Sequence, residues 1–242
     1  MDYTQLKDLI AGSPDLAIRY IRQSDINVRI SAFEAFCLLA SNHPARVDNI
    51  IADFGEVLRM EVIPVLVAET EPIYLQALAQ ISYGIGFLVS KMPNPSRLIS
   101  LLPTLFDLLS HPYPRVKIGA VSGLGYFIGA LPEEFDDSRI NLLLRILADD
   151  DPEVRASAAF AWGNIALGGS KKATEAIGKI YGLLTDSHEM VRGEACGFFN
   201  SLATYYPAEC AVALPLLREL RDSDPNIIVK ERAAASVQAI TA

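Results

Sequence analysis

Alanine returns at one fixed position of a repeating unit roughly 40 residues long, and that recurrence constrains the fold more than any other feature of the chain. Aligned on Val28, Ile73, Val116, Val154, Val191 and Val229, the copies lie 45, 43, 38, 37 and 38 residues apart. Four residues after each anchor stand Ala32, Ala77, Ala120, Ala158, Ala195 and Ala233, and eight after it Phe36, Ile81, Leu124, Trp162, Phe199 and Val237. Steps of four keep to one face of an α-helix, and a small residue held at one turn suits a closely crossing neighbour. A second apolar-periodic segment precedes each anchored helix, from DLAIRYIRQ in the first copy to AVALPLLRELRD in the last. No alternating strand pattern bounded by turn residues intervenes, so the chain reads as all-α helical hairpins that bury their faces on one another.

The composition agrees with a packed array. Hydrophobic residues make up 51% and charged residues 21% of the 242, ample for a continuous core. The formal net charge of -8 argues against a nucleic-acid binder, which needs clustered cations to replace condensed counterions. Cys37, Cys196 and Cys210 are an odd number without metal-ligand spacing, so neither a disulfide framework nor a zinc site is expected, and a reducing cytoplasm is the simplest compartment. The N-terminus MDYTQLKDLI lacks the pattern of a secretory signal. Residues 73–90 carry no charge and approach the length of a membrane span, but Gln76, Gln80 and Ser82 interrupt them, which favours a helix inside the array and no membrane partner.

The copies LADDDPEVRASAAFAWGNI, LTDSHEMVRGEACGFFNSL and LRDSDPNIIVKERAAASVQAI, with Pro64, Pro103 and Pro215 in preceding helices, resemble HEAT repeats, particularly the short kind of phycobilin-lyase-type HEAT proteins. The resemblance is strong from about residue 98 and looser before it. It implies an α-solenoid, a right-handed superhelix of about six hairpins, in a single domain over residues 1–242. The repeats are expected at roughly 13–41, 44–90, 95–131, 138–167, 170–204 and 207–242, behind a capping helix in 1–12, with an extra turn or short helix in 44–58.

The carboxylates of DDDPEVR are the first candidates for chemistry. Asp151-Pro152 has a counterpart in Asp224-Pro225, and an acidic residue followed by proline is a helix start: the carboxylate caps free amides and proline forfeits no hydrogen bond. Asp149, Asp186 and Asp224 each sit five residues before an anchor, and Arg155, Arg192 and Lys230 each follow one. One carboxylate and one cation per repeat predict a structural ladder of Asp149, Asp151, Arg155, Asp186, Arg192, Asp224 and Lys230, and no converging metal site. Di-iron hydroxylases of this architecture carry repeated His-Glu pairs, but Gly193 stands where such a histidine would be and only His43, His111 and His188 exist. Repeat-built DNA glycosylases use a basic aromatic groove, which the acidic balance disfavours. GGSKKAT at 168–174 and GLGYFIG at 123–129 lack the strand-to-helix setting of a phosphate loop; the former reads as an inter-repeat loop with Ser170 as a cap. No catalytic residue, metal or cofactor is assigned.

Glycines gather inside the anchored helices, among them Gly84, Gly86, Gly119, Gly123, Gly163, Gly193 and Gly197, each at a cost of about 1 kcal/mol relative to alanine. Close helix packing is the expected purpose, a smooth inner groove the alternative. In HEAT arrays the second helices line the concave side, and offsets 3, 6 and 10 from the anchor should face it. That stripe contains Tyr83, Tyr126, Phe160, Asn164 and Glu194, an aromatic, charge-poor surface of the kind found at interface centres. A phase error of one position would put the same residues in the core. The expected function is a non-catalytic scaffold or adaptor for a protein or peptide partner, with homodimerisation possible through the C-terminal repeat. The alternative suggested by the resemblance is a lyase or lyase subunit acting on a tetrapyrrole-bearing protein.

Overall fold

The computed structural model describes residues 3–242. In chain order its helices are α1 (Tyr3–Gly12), α2 (Leu16–Ile21), α3 (Ile26–Asn42), α4 (Ile51–Val57), α5 (Ile63–Val67), α6 (Pro72–Lys91), α7 (Leu102–Asp107), α8 (Pro114–Ala130), α9 (Asp137–Ile146), α10 (Pro152–Leu167), α11 (Ile177–Leu183), α12 (Glu189–Ala203), α13 (Pro207–Cys210), α14 (Leu214–Ser223) and α15 (Ile227–Thr241). Among the described residues there is no strand. The long second helices of the hairpins are α3, α6, α8, α10, α12 and α15. The repeating alanine explains them: Ala32, Ala77, Ala120, Ala158, Ala195 and Ala233 are all fully buried, so a neighbour crosses at that turn in every copy.

Three of the first helices are broken at a proline, whereas the second helices are continuous. Pro64, Pro103 and Pro215 each lie in the first turn of a short α-helical segment, behind a π turn at Leu58–Val62 and 3-10 turns at Pro95–Leu101 and Ala211–Ala213. A proline has no amide hydrogen to continue the ladder, so the chain changes winding there and starts again.

The chain divides into two compact units, one running to Phe127 and the other from Ile128 to Ala242, with the boundary inside α8. The first unit is centred on aromatic packing: Phe36 stacks on Phe54 at 3.9 Å between ring centroids, with Phe33 6.3 Å from the same ring. Its second helices touch backbone to backbone. A methyl group on Gly86 would overlap the Gly123 carbonyl, one on Gly119 the Ala79 carbonyl, and one on Gly84 the Phe33 ring. Among the described residues α6 is the one helix long and apolar enough to cross a membrane; half of its apolar window is buried within the protein.

The second unit packs α10 on α12 and α12 on α15 around Trp162, Phe198 and Phe199, each at most 1% exposed. Here Gly163, Gly193 and Gly197 have space where a Cβ would stand, the nearest atoms lying at 3.7 to 3.9 Å. Close packing, the expected reason for Gly193 and Gly197, does not hold at these two, although in the same unit a methyl group on Gly168 would overlap the Gly129 carbonyl.

Two registers differ from the sequence reading. Ile73 is 39% exposed although the other copies bury their anchors wholly or in part. Its helix begins at Pro72, and the buried apolar residue of that first turn is Leu75. Asp224 is not a helix cap: α15 is capped by Asn226, whose side chain accepts from the amides of Ile228 and Val229. The Asp-Pro pair at 224–225 is displaced by two residues from the one at 151–152, and the cap position in the last copy is asparagine.

Candidate functional site

The carboxylates and arginines of the second unit form a strictly repeated structure. Asp149, Asp186 and Asp224 each accept the amide of the residue two positions on, at 3.0, 2.9 and 2.8 Å. The N-caps follow as Asp151, His188 and Asn226, which accept first-turn amides of α10, α12 and α15. Arg155 then grips Asp186 of the next repeat through Nε and Nη2 at 2.9 and 3.0 Å, while its Nη1 donates to the carbonyls of Asp149 and Asp150. Arg192 repeats the arrangement on Asp224 at 2.7 and 3.0 Å, with Nη1 on the carbonyls of Asp186 and Ser187.

Each arginine thus ties its own turn to the next hairpin. The Arg192 guanidinium holds the Asp224 carboxyl below the usual carboxylate range, against the opposing effect of burial. At Asp186 burial is the largest influence and pushes upward, but the Arg155 fork and the His188 amide outweigh it and the net shift is downward. Lys230 donates to the Asp222 carbonyl at 3.2 Å, and Asp151 holds amides of its own helix. Ser170 occupies the cap position before a 3-10 turn at Lys171–Ala176 without a side-chain capping bond. Among the described residues no group of three or more His, Cys, Asp and Glu side chains could hold a metal ion.

The stripe residues lie on the outward faces of second helices. In the first unit Tyr83 is 40% exposed on α6, and its ring meets Tyr126 of α8 edge-on at 5.8 Å and 82°. The two hydroxyls are 3.4 Å apart. Burial, and then the Tyr83 hydroxyl, raise the Tyr126 pKa, so this phenol stays protonated. Phe87, one turn further along α6, meets Tyr126 at 87°, and the Lys91 ammonium lies 5.1 Å over the Phe87 ring. The stripe stops at Gly119 and Ser122, which are buried because α6 presses on α8 at that point.

In the second unit, Phe160 and Asn164 of α10 and Glu194 of α12 line one cleft of about 320 Å³, together with Leu167, Asn200, Ser201, Arg232 and Ala235. Its floor includes Gly163 and Gly197. Phe160 supplies an aromatic wall and Leu167, 55% exposed, an apolar rim. The Asn164 amide leans back on the Phe160 carbonyl at 3.3 Å. Glu194 pairs with Arg232 of α15 at 2.6 Å. Phe160, Asn164 and Glu194 therefore come together, whereas Tyr83 and Tyr126 belong to the first unit. Leu167 and Asn200 lie outside the predicted stripe. Leu167 continues the α10 face one turn beyond Asn164, a signal the three-offset rule cut short. Glu194 and Arg232 share offset 3 in adjacent copies, and opposite charges at one offset were a legible cue to their pairing.

Residues 140–238 match the family model for HEAT repeats. No curated protein matches the chain. Among solved structures, an engineered protein is similar at 21% identity with a TM-score of 0.66, over 94% of this chain and 98% of that one. A second engineered protein is similar at 19% identity and a TM-score of 0.62, over 100% and 97%. Computationally designed armadillo repeat proteins for modular peptide recognition are similar at 21% identity and a TM-score of 0.57, over 93% and 98%. At such identities the likeness concerns the fold alone: an all-α helical repeat solenoid.

Proposed function

We propose that this HEAT-repeat protein is a non-catalytic scaffold that holds a protein or peptide segment on the outward faces of its second helices, with the cleft of Phe160, Asn164 and Glu194 as the principal site. The observation that carries the reading is the cleft's glycine floor. Gly163 and Gly197 have room for a methyl group, yet carry none, at about 1 kcal/mol each in helix propensity. The missing side chains open a depression in which a ligand backbone approaches the helices, beside an aromatic wall and amide groups suited to peptide hydrogen bonds. Tyr83 and Tyr126 offer a second aromatic surface in the first unit. The designed armadillo proteins for peptide recognition lend support at the level of fold. Three buried free thiols suit the reducing cytoplasm in which such a scaffold would act.

The test is steric. Gly197→Leu fills the cleft from its floor, and Gly178→Leu adds the same bulk on α11, where a Cβ would meet nothing within 4 Å. Wild type and Gly178→Leu are expected to retain the same polypeptides from native extract after crosslinking, and Gly197→Leu to lose them with a melting temperature no lower than that of wild type. Equal retention by all three proteins refutes the cleft as the site.

A further inference from the structure

Glu194 differs from the other carboxylates that receive an arginine from a neighbouring hairpin in this unit. Asp186 and Asp224 engage their arginines with both oxygens, fork to fork. Glu194 receives one bond from Arg232, Nη1 to Oε1 at 2.6 Å, and its Oε2 stands 3.8 Å from where a Gly197 Cβ would be, over the floor of the cleft. A carboxylate has lone pairs for about four donors, so a second cation can join the first. Arg232 itself shows how a guanidinium is accommodated here: its Cδ and Nη1 lie 3.7 Å from the position of a Gly193 Cβ, a side chain laid across a bare stretch of α12.

The surroundings favour another cation. Glu153 is exposed on the same face of α10, two turns before Phe160, and Glu231 is exposed beside Arg232. The whole unit carries 11 basic against 17 acidic side chains, a net charge of -6. Such an excess draws cationic segments in and turns anionic ones away.

On the reading that this cleft holds a peptide, we infer that its occupant is a basic linear segment, one of whose arginine or lysine side chains lies along Phe160 and donates to Oε2 of Glu194. The aromatic face and the carboxylate act on the same cation, and the glycine floor lets the segment's backbone come close. Arg232 competes for Glu194 and so limits the affinity.

Fluorescence anisotropy with three labelled octapeptides tests this: (Gly-Arg)4, its neutral citrulline counterpart and (Gly-Glu)4. The arginine peptide is expected to bind about 10-fold more tightly than the citrulline peptide, the worth of one charge-assisted contact. Glu194→Gln should remove that advantage, whereas Glu175→Gln, an equal loss of charge outside the cleft, should keep most of it. Arg232→Ala should tighten arginine-peptide binding several-fold, by freeing Glu194. The inference is overturned if no arginine peptide binds, if arginine and citrulline peptides bind alike, or if Glu194→Gln and Glu175→Gln weaken binding equally. A citrulline or glutamate peptide that binds as well as the arginine one and is displaced by Gly197→Leu sinks the charge assignment alone, and the cleft stands. Peptide binding untouched by Gly197→Leu removes both.

Discussion

Replacing Arg192 with alanine should destabilise the second unit far more than any exposed ion pair in the chain could. The Arg192 side chain is 12% exposed and the Asp224 side chain 2%, and the guanidinium makes four hydrogen bonds, two to the carboxylate and two to carbonyls of its own turn. Removing it strands a buried carboxylate beside the Asn226 amide, without its guanidinium. Breaking a buried pair from one side costs about 3 to 5 kcal/mol. Arg22 and Glu61 provide the contrast: they make the same fork, but at 46% and 47% exposure, where solvent and salt screen the pair. Urea unfolding followed by fluorescence reads the second unit directly, because Trp162, the chain's one tryptophan, is buried in α10. The pH dependence has a definite sign. Asp224 is held below its unfolded value by Arg192, so its contribution is complete above about pH 4 and is lost as pH falls through the folded pKa. The gap between wild type and Arg192→Ala should therefore be widest at neutral pH and narrow in acid, and Arg192→Ala combined with Asp224→Ala should cost less than the two single changes added together. A cost for Arg192→Ala no larger than for Arg22→Ala, or a gap indifferent to acid, refutes the reasoning.

The glycines fall into two kinds, those whose side-chain place a neighbouring backbone occupies and those where a methyl group would fit. Gly86→Ala forces α6 off α8 at the Gly123 carbonyl and should cost more than about 2 kcal/mol in chemical denaturation followed by circular dichroism, whereas Gly163→Ala should raise stability by up to about 1 kcal/mol. Cys37, Cys196 and Cys210 are buried, and burial pushes the thiols of Cys196 and Cys210 up to about 12, so a thiol-specific chromophoric reagent at pH 8 should label none of the three until denaturant is added. Rapid labelling of native protein would contradict that.

How much of this was legible beforehand depended on whether a feature is encoded locally. The buried alanines and the Asp151 cap are set by spacing within one helix, and they could be read from residue types alone. The ladder could be read only as a list of charges. That Arg155 crosses to Asp186 while holding two carbonyls of its own turn depends on how one hairpin stacks on the next, which no window of sequence contains. The confusion of Asp224 with a cap had a local cause: Asp-Pro occurs in two registers of the same turn, and only the positions of the amides separate them. The breaks in the first helices were written in Pro64, Pro103 and Pro215, but whether a proline yields a 3-10 or a π turn depends on what packs against it.

The same ambiguity decides what the glycines mean. One residue type at one helical face serves two ends that sequence cannot distinguish: at Gly86 and Gly119 the neighbouring backbone occupies the place of a side chain, and at Gly163 and Gly197 nothing in the protein does. An unfilled place costs helix stability without a packing return. On the proposed reading, that cost is recovered by an occupant from outside, next to Glu194, whose second oxygen stands over the place of a Gly197 side chain. If the occupant supplies that return, Gly163→Ala and Gly197→Ala should gain stability in the isolated protein and lose affinity for the arginine peptide, whereas substitutions at Gly178 should change neither by more than their helix propensity. Alanine variants that bind as tightly as wild type would mean that the bare floor has no part in recognition.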